Sequence, residues 1–331
     1  MRLESFTPKS RVLQPTGTEC ARIVANAELN VEIEGQRGSG SGSMPTSMPG
    51  PAPARRAPGP HLRIEPSRGW APLNIAELWR YRELLVFMAW RDIAIRYKQT
   101  GLGIAWAVLQ PLMMTVVFTL FFGRLAGMPS DGQPYFLFSL IAMAPWTLFE
   151  SGLTQASNSL VSSSNLIKKV YFPRLAVPIS AVISCIPDFL VALGLAVLMM
   201  AINGAYPTIN SVWLPLFALL GIASALGIGL WLSAMNVWYR DVKYVVPFVT
   251  RFWMFASPVL YPASKIPDEW KTVYALNPMV TVIEGFRWGM LGTDSRPGLL
   301  MIASSTVASL ALLISGAYYF RRMEKSFADV V

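Results

Sequence analysis

Residues 84–123, LLVFMAWRDIAIRYKQTGLGIAWAVLQPLMMTVVFTLFFG, pass from a charged segment into a run, residues 101–122, that holds no Asp, Glu, Lys or Arg. A helix crosses a hydrocarbon core of about 30 Å with about 20 mostly apolar residues. The run therefore predicts one membrane crossing. Just upstream, Trp90, Ile93 and Tyr97 fall at helical spacing on one side and Asp92, Arg96 and Gln99 on another. That is the pattern of a helix lying in the interface plane with its basic end toward the headgroups.

Working outward, the alternation repeats. Residues 134–149 are apolar, and the predicted crossing continues past Glu150 toward Leu153 and Ala156. Residues 175–202 form a third span, interrupted by Pro178 and Pro187 and carrying Asp188. An acid at that depth costs about 2.5 to 3.5 kcal/mol to insert, so it should face a partner helix or water. Residues 212–239 form a fourth, with Gly221, Ala225 and Gly229 at four-residue spacing, a face that lets another backbone approach. Residues 244–262, with Arg251 inside, are expected as a fifth span, and residues 298–320 as a sixth. Between these two, residues 279–291 lie between Pro278 and Gly292 and read as part of a re-entrant or surface hairpin.

The expected fold is thus an all-α polytopic membrane protein. It has an N-terminal amphipathic interface helix, six transmembrane helices, and a re-entrant hairpin between the fifth and sixth. Composition agrees: 53% of the 331 residues are hydrophobic, 14% are charged, and the mean hydropathy is +0.43. The net charge of +9 does not point to nucleic acid, because the cations flank apolar spans, where the positive-inside rule accounts for them. Thirteen basic residues fall in segments assigned to the cytoplasm. Five, Arg124, Lys265, Lys271, Arg287 and Arg296, fall outside, so both termini are expected in the cytoplasm. Residues 1–72, rich in Gly, Ser, Pro and Ala between positions 37 and 60, read as a disordered cytoplasmic tail, and residues 73–331 as the transmembrane domain.

Four further segments accompany RDIAIRYKQTGLGIAWAVLQPL at residues 91–112: NLIKKVYFPR at 165–174, NVWYRDVKYVVPF at 236–248, SPVLYP at 257–262 and LNPM at 276–279. Together they resemble the ABC-2 type permeases that export polysaccharides or polyol phosphates, the membrane subunits of O-antigen, capsule and teichoic acid exporters. The resemblance covers residues 73–331. It implies six spans per subunit, a second copy completing a twelve-span pore in the inner (plasma) membrane, and a lipid-linked polysaccharide as substrate. It also implies two copies of a separate nucleotide-binding subunit that holds the ATP and Mg. On the matching motifs, Arg91 and Arg96, then Leu166, Lys168, Lys169, Phe172 and Arg174, and finally Arg240 and Lys243, would dock that ATPase. A cluster that sets topology at the headgroups is the alternative for each.

Arg251 and the aromatics Trp253, Tyr261, Trp270, Tyr274 and Trp288 are the candidates for the translocation path. The aromatics equally suit an interfacial belt. Arg251 has three readings: reaching back to the headgroups, pairing with Asp188 or Glu150, or meeting substrate phosphate through its planar guanidinium.

The chain itself has no G-x-x-x-x-G-K-[ST] loop to hold nucleotide phosphates, and no GxSxG or HExxH motif. His61 and Cys20 lie in the tail and Cys185 in a span, so no metal-ligand spacing exists and no catalytic residue is assigned. A permease without enzymatic activity is expected. Exporters of drugs or small glycolipids, a membrane transferase using Glu150 or Asp188 on polyprenyl phosphate, and a regulatory membrane subunit are the alternatives.

Overall fold

The computed structural model describes residues 75–98, 105–169, 172–293, 296–324 and 327, all within the unit Pro66–Val331. The expected tail, residues 1–72, lies outside the described residues. Among them the protein is helical throughout, with no strand.

Helices α1 (Ile75–Arg80) and α2 (Arg82–Lys98) are separated at Tyr81. The first long apolar helix, α3, runs Ala105–Phe118 and widens into a π-helical stretch, Thr119–Leu125. Helix α4 (Tyr135–Ser162) passes Glu150 without interruption, as expected, and a short α5 follows (Ser164–Lys169).

The third apolar span is split into α6 (Ala176–Ile183) and α7 (Ile186–Ile202). Pro187 has no N–H to donate to the Ile183 carbonyl, so the helix breaks at Ser184 and Cys185 and restarts with the proline in its first turn. Asp188 consequently sits in the first turn of α7, where the helix dipole favours an acid. A 3₁₀ turn, Ile209–Trp213, leads into α8 (Leu214–Trp238), and α9 covers Val242–Phe255. A short helix α10 (Asp268–Tyr274), then α11 (Pro278–Leu291) and α12 (Leu299–Met323), complete the order.

Among the described residues, five helical stretches are long and apolar enough to cross a membrane: Ala105–Leu125, Tyr135–Ser162, Ala176–Ile202, Ile209–Trp238 and Leu299–Met323. The expected fifth span, residues 244–262, is shorter as a helix than the sequence suggested. Helix α9 ends at Phe255 after 14 residues, about 21 Å of rise. Pro258 stops it, because it cannot donate to the Met254 carbonyl and disfavours helix at Ser257 before it.

Helices α4, α8 and α12 run side by side in the same direction. Gly152 faces Ala225 and Gly229 faces Ala156; Ser224 bonds Ser309 at 2.9 Å, and Trp231 stacks on Tyr319 with ring centroids 4.1 Å apart. The stripe read from the sequence therefore packs: Gly229 and Ala225 admit α4, and Gly221 lies against Val282 of α11. A second close approach was not read. A Cβ on Gly316 would collide with the carbonyl of Gly227, so α8 and α12 touch through backbone there.

Two cores result. The larger gathers Trp146, Phe149, Phe189, Met279 and Phe286 from α4, α7 and α11. The smaller gathers Met88, Leu160, Phe172, Leu230 and Phe320 and seats α2 at the end of the bundle where α4, α8 and α12 finish.

Candidate functional site

At that end, the residues expected to dock an ATPase separate into two groups. Lys168, Lys169, Arg240 and Lys243 are exposed, and they share one end because Asn236 of α8 donates to Ser157 and Asn158 of α4 at 2.9 and 3.1 Å. Leu166 is half-buried against the smaller core. The others are engaged within the chain. Phe172 is a core residue, Arg174 bonds the carboxylate and carbonyl of Glu324, and Arg91 pairs with Asp92 at 2.8 Å.

Arg96 is directed inward. Its guanidinium forms an ion pair with Asp188 and also donates to the Ser184 carbonyl, while the Tyr97 hydroxyl donates to the other Asp188 oxygen. The partner for Asp188 that the sequence left open is thus supplied by α2, from 91 and 92 positions upstream. Burial, then the bond to Asp188, pushes the Tyr97 hydroxyl up to about 12, so it remains a donor throughout the physiological range. This clasp separates two cavities. A polar one of about 530 Å³ is lined by Arg91, Gln155, Ser159, Ser163 and Ser184. A smaller one of about 170 Å³ is lined by Trp106, Gln110, Thr147 and Ser151.

The translocation candidates also divide. Arg251 is exposed on α9, and it lies within electrostatic reach of Glu150 but forms no ion pair with it or with Asp188 among the described residues. Trp253 donates to Asn277 at 3.1 Å and meets Phe149 edge-on; Tyr274 donates to Tyr261, and Tyr261 to the Phe255 carbonyl. These three join internal networks. Trp288 is half-buried under the Arg296 guanidinium, and Trp270 is exposed.

What sequence reasoning missed is the rest of the α9 face. Val242, Val246, Thr250 and Met254 are buried at four-residue spacing, leaving Tyr244, Phe248, Phe252 and Phe255 exposed beside Arg251. The same four-residue spacing in 242–255 was the available signal.

The opposite end of the bundle overturns one expectation. Arg287, counted among the outer cations that set topology, is 1% exposed. It pairs with Glu284 at 3.0 Å, donates to the carbonyl of Val259 at 2.9 Å and to those of Phe138 and Tyr261 at 3.4 Å, and lies 3.5 Å from the Phe138 ring centre. Five donors on a planar fork can be satisfied only by such convergence. The motif E-x-x-R at 284–287 inside an apolar run was the signal, since residues three apart share a helix face.

Nearby, Tyr135 donates to Leu260 at 2.8 Å, and Thr208 and Ser211 donate to Gly289 at 2.7 and 2.9 Å. The turn after α9 and the end of α11 therefore reach the starts of α4 and α8. Between them the chain dips inward: the Ala275 carbonyl accepts from Ser304 and Ser305 on the second turn of α12. Asn277 caps α11 by accepting from Met279, and Gly292 ends it at φ 65°, a left-handed conformation that glycine adopts freely.

Comparison with known proteins agrees with this architecture. Residues 83–291 match the model of the ABC-2 type transporter family. The chain is 28% identical over 259 residues to the O-antigen export system permease protein RfbA of Myxococcus xanthus, covering 78% of this chain and 98% of that protein. It is 26% identical to the RfbA of Klebsiella pneumoniae, over 75% of this chain and 95% of the relative. The polysialic acid transport protein KpsM of Escherichia coli is also 26% identical, over 71% and 91%. The family match spans more than half of the sequence and contains the α2 clasp, the split third span and the buried Arg287: the chain belongs to the ABC-2 type transporter family.

Proposed function

We propose that this chain is the membrane-spanning permease subunit of an ABC exporter that carries a lipid-linked polysaccharide across the inner membrane, driven by ATP hydrolysis in a separate subunit. The observation that carries the reading is its similarity to O-antigen and polysialic acid permeases over nearly their whole lengths. A nucleotide-hydrolysing partner is the reading that the sequence supports, since it carries no G-x-x-x-x-G-K-[ST] loop.

Six crossings with both termini in the cytoplasm are supported by the parallel course of α8 and α12. Two neighbours pointing the same way require the chain between them to return across the bundle, and α9 with the turn to Leu260 is the segment that returns. The inward dip at Ala275 supports reading α10 and α11 as a re-entrant hairpin. The positive-inside rule then places Lys168, Lys169, Arg240 and Lys243 on the cytoplasmic side, where they meet two copies of the ATPase.

A second copy of the chain completes the pore. The exposed aromatic face of α9, with Arg251 among its rings, is the surface that meets sugar faces and the substrate phosphate. Arg251→Lys preserves charge but loses the bidentate fork, so export should fall while membrane levels hold.

Deletion of the gene from its native cell tests the function. Surface glycan, measured by labelling intact cells, should disappear while the same polymer accumulates inside. Undiminished surface glycan would refute the assignment.

A further inference from the structure

Thr147, Ser151, Gln155 and Ser159 recur at four-residue spacing along α4, and Ser163 continues the series just past its end. Residues four apart share a helix face. A polar stripe about 24 Å long therefore runs down a helix apolar enough to cross a membrane.

Both cavities beside the clasp open onto that stripe. Gln155, Ser159 and Ser163 line the larger, and Thr147 and Ser151 the smaller. Arg96 lines both, so its guanidinium, held by Asp188, stands in the partition between them. The stripe faces space at these positions, so its small residues are not there to admit a neighbouring backbone. The Thr147 and Ser159 hydroxyls donate back to Ala144 and Ala156 on their own helix, at 2.9 and 2.7 Å, which keeps the acceptor capacity of each oxygen for the cavity. Across the smaller cavity, Pro111 has no N–H for the Ala107 carbonyl one turn back, and both residues line the space. Polar groups at membrane depth need partners, and in a roomy cavity lined by several of them the partner is water.

We propose that the two cavities are the halves of one water-filled crevice, which enters the bundle from the Lys168 end along α4, and that the Arg96–Asp188 pair is the gate between them. The gate is closed in this structure, and Tyr97 latches it by donating to the second Asp188 oxygen. Arg96 and Tyr97 both stand on α2, so a shift of α2 against the break between α6 and α7 joins the halves. Neither the crevice nor its gate rests on the proposed export function.

The test uses the full chain in lipid nanodiscs, where both ends of the bundle meet water, with Cys20 and Cys185 replaced by serine. A single cysteine is placed at Ser159, at Thr147 or, as a core control on the same helix, at Leu148, which is 2% exposed. Its reaction with 2-sulfonatoethyl methanethiosulfonate is timed. Ser159→Cys should react readily, and Thr147→Cys and Leu148→Cys slowly. Asp188→Asn should speed Thr147→Cys about fivefold, the change in open population that a part-exposed ion pair can supply, and leave the other two rates as they were. Arg96→Gln should do the same. The two gate variants alter the local charge in opposite directions, so a common acceleration reports opening and not thiol ionisation. Reaction at Ser159→Cys as slow as at the core control would overturn the crevice. Equal rates at Ser159 and Thr147 in the parent, an unchanged Thr147→Cys rate in either gate variant, or an equal rise at Leu148→Cys would overturn the gate.

Discussion

Two ion pairs sit at opposite ends of the bundle, and they differ in water. Glu284 and Arg287 are 3% and 1% exposed, three residues apart on one helix, and the guanidinium also collects three carbonyls from α4 and from the turn after α9. Asp188 and Arg96 are each 27% exposed, come from helices far apart in the chain, and border two cavities. A sealed pair cannot open without stranding a charge, which costs several kcal/mol. A wet pair can exchange its partner for solvent at small cost. The first is therefore a lock that joins α4, the turn and α11. The second is a joint between α2 and the break in the third span.

The largest effect should come from breaking the lock on one side. Arg287→Leu leaves Glu284 buried without compensation and should lower stability by about 3 to 5 kcal/mol, seen as a sharp loss of folded chain on size exclusion and an earlier thermal transition. Adding Glu284→Gln should restore part of it. If the single and double variants unfold together, the pair is not the fastening it is described to be.

Next comes the backbone contact that lets α12 approach at all. Gly316→Ala places a methyl against the Gly227 carbonyl, and overpacking of this kind costs about 1 to 3 kcal/mol. A variant as stable as the parent would show that α8 and α12 separate more easily than the contact implies.

The joint should respond differently. Asp188→Asn is expected to cost no more than about 1 kcal/mol, since both side chains are partly hydrated. It should instead free α2, so that a cysteine placed at Ala89, now 4% exposed, is labelled faster than in the parent. Slow labelling with a large loss of stability would make this pair a second lock and erase the contrast.

How much of this was legible follows from what each feature depends on. The long helices were readable because a crossing depends on a local run of uncharged residues, as in 101–122. The short α9 was not, because hydropathy continues smoothly through 256–262 while Pro258 ends the helix. Asp188 was recognisable as costly, yet its partners lie 91 and 92 positions away, and no local pattern links them. Arg287 was counted among the outer cations that set topology, because nothing local to 279–291 shows the three backbone carbonyls from other segments that converge on it. Among the docking candidates, Lys168 and Lys169 are exposed as expected, whereas Phe172 serves the core.

The smallest stability effect belongs to those lysines. Lys168→Glu with Lys169→Glu should shift unfolding by less than about 0.5 kcal/mol, as for other exposed positions. The amount of ATPase that copurifies should nevertheless drop sharply. Undiminished copurification would return the two residues to a headgroup role.

The most direct measurement is reconstitution of the chain with its ATPase in proteoliposomes loaded on one face with lipid-linked polysaccharide, followed by the appearance of glycan on the other. Transfer is predicted to require ATP and both subunits, and to fail when either is omitted. Transfer by the chain alone without nucleotide, or none from the intact complex with ATP, would contradict the account.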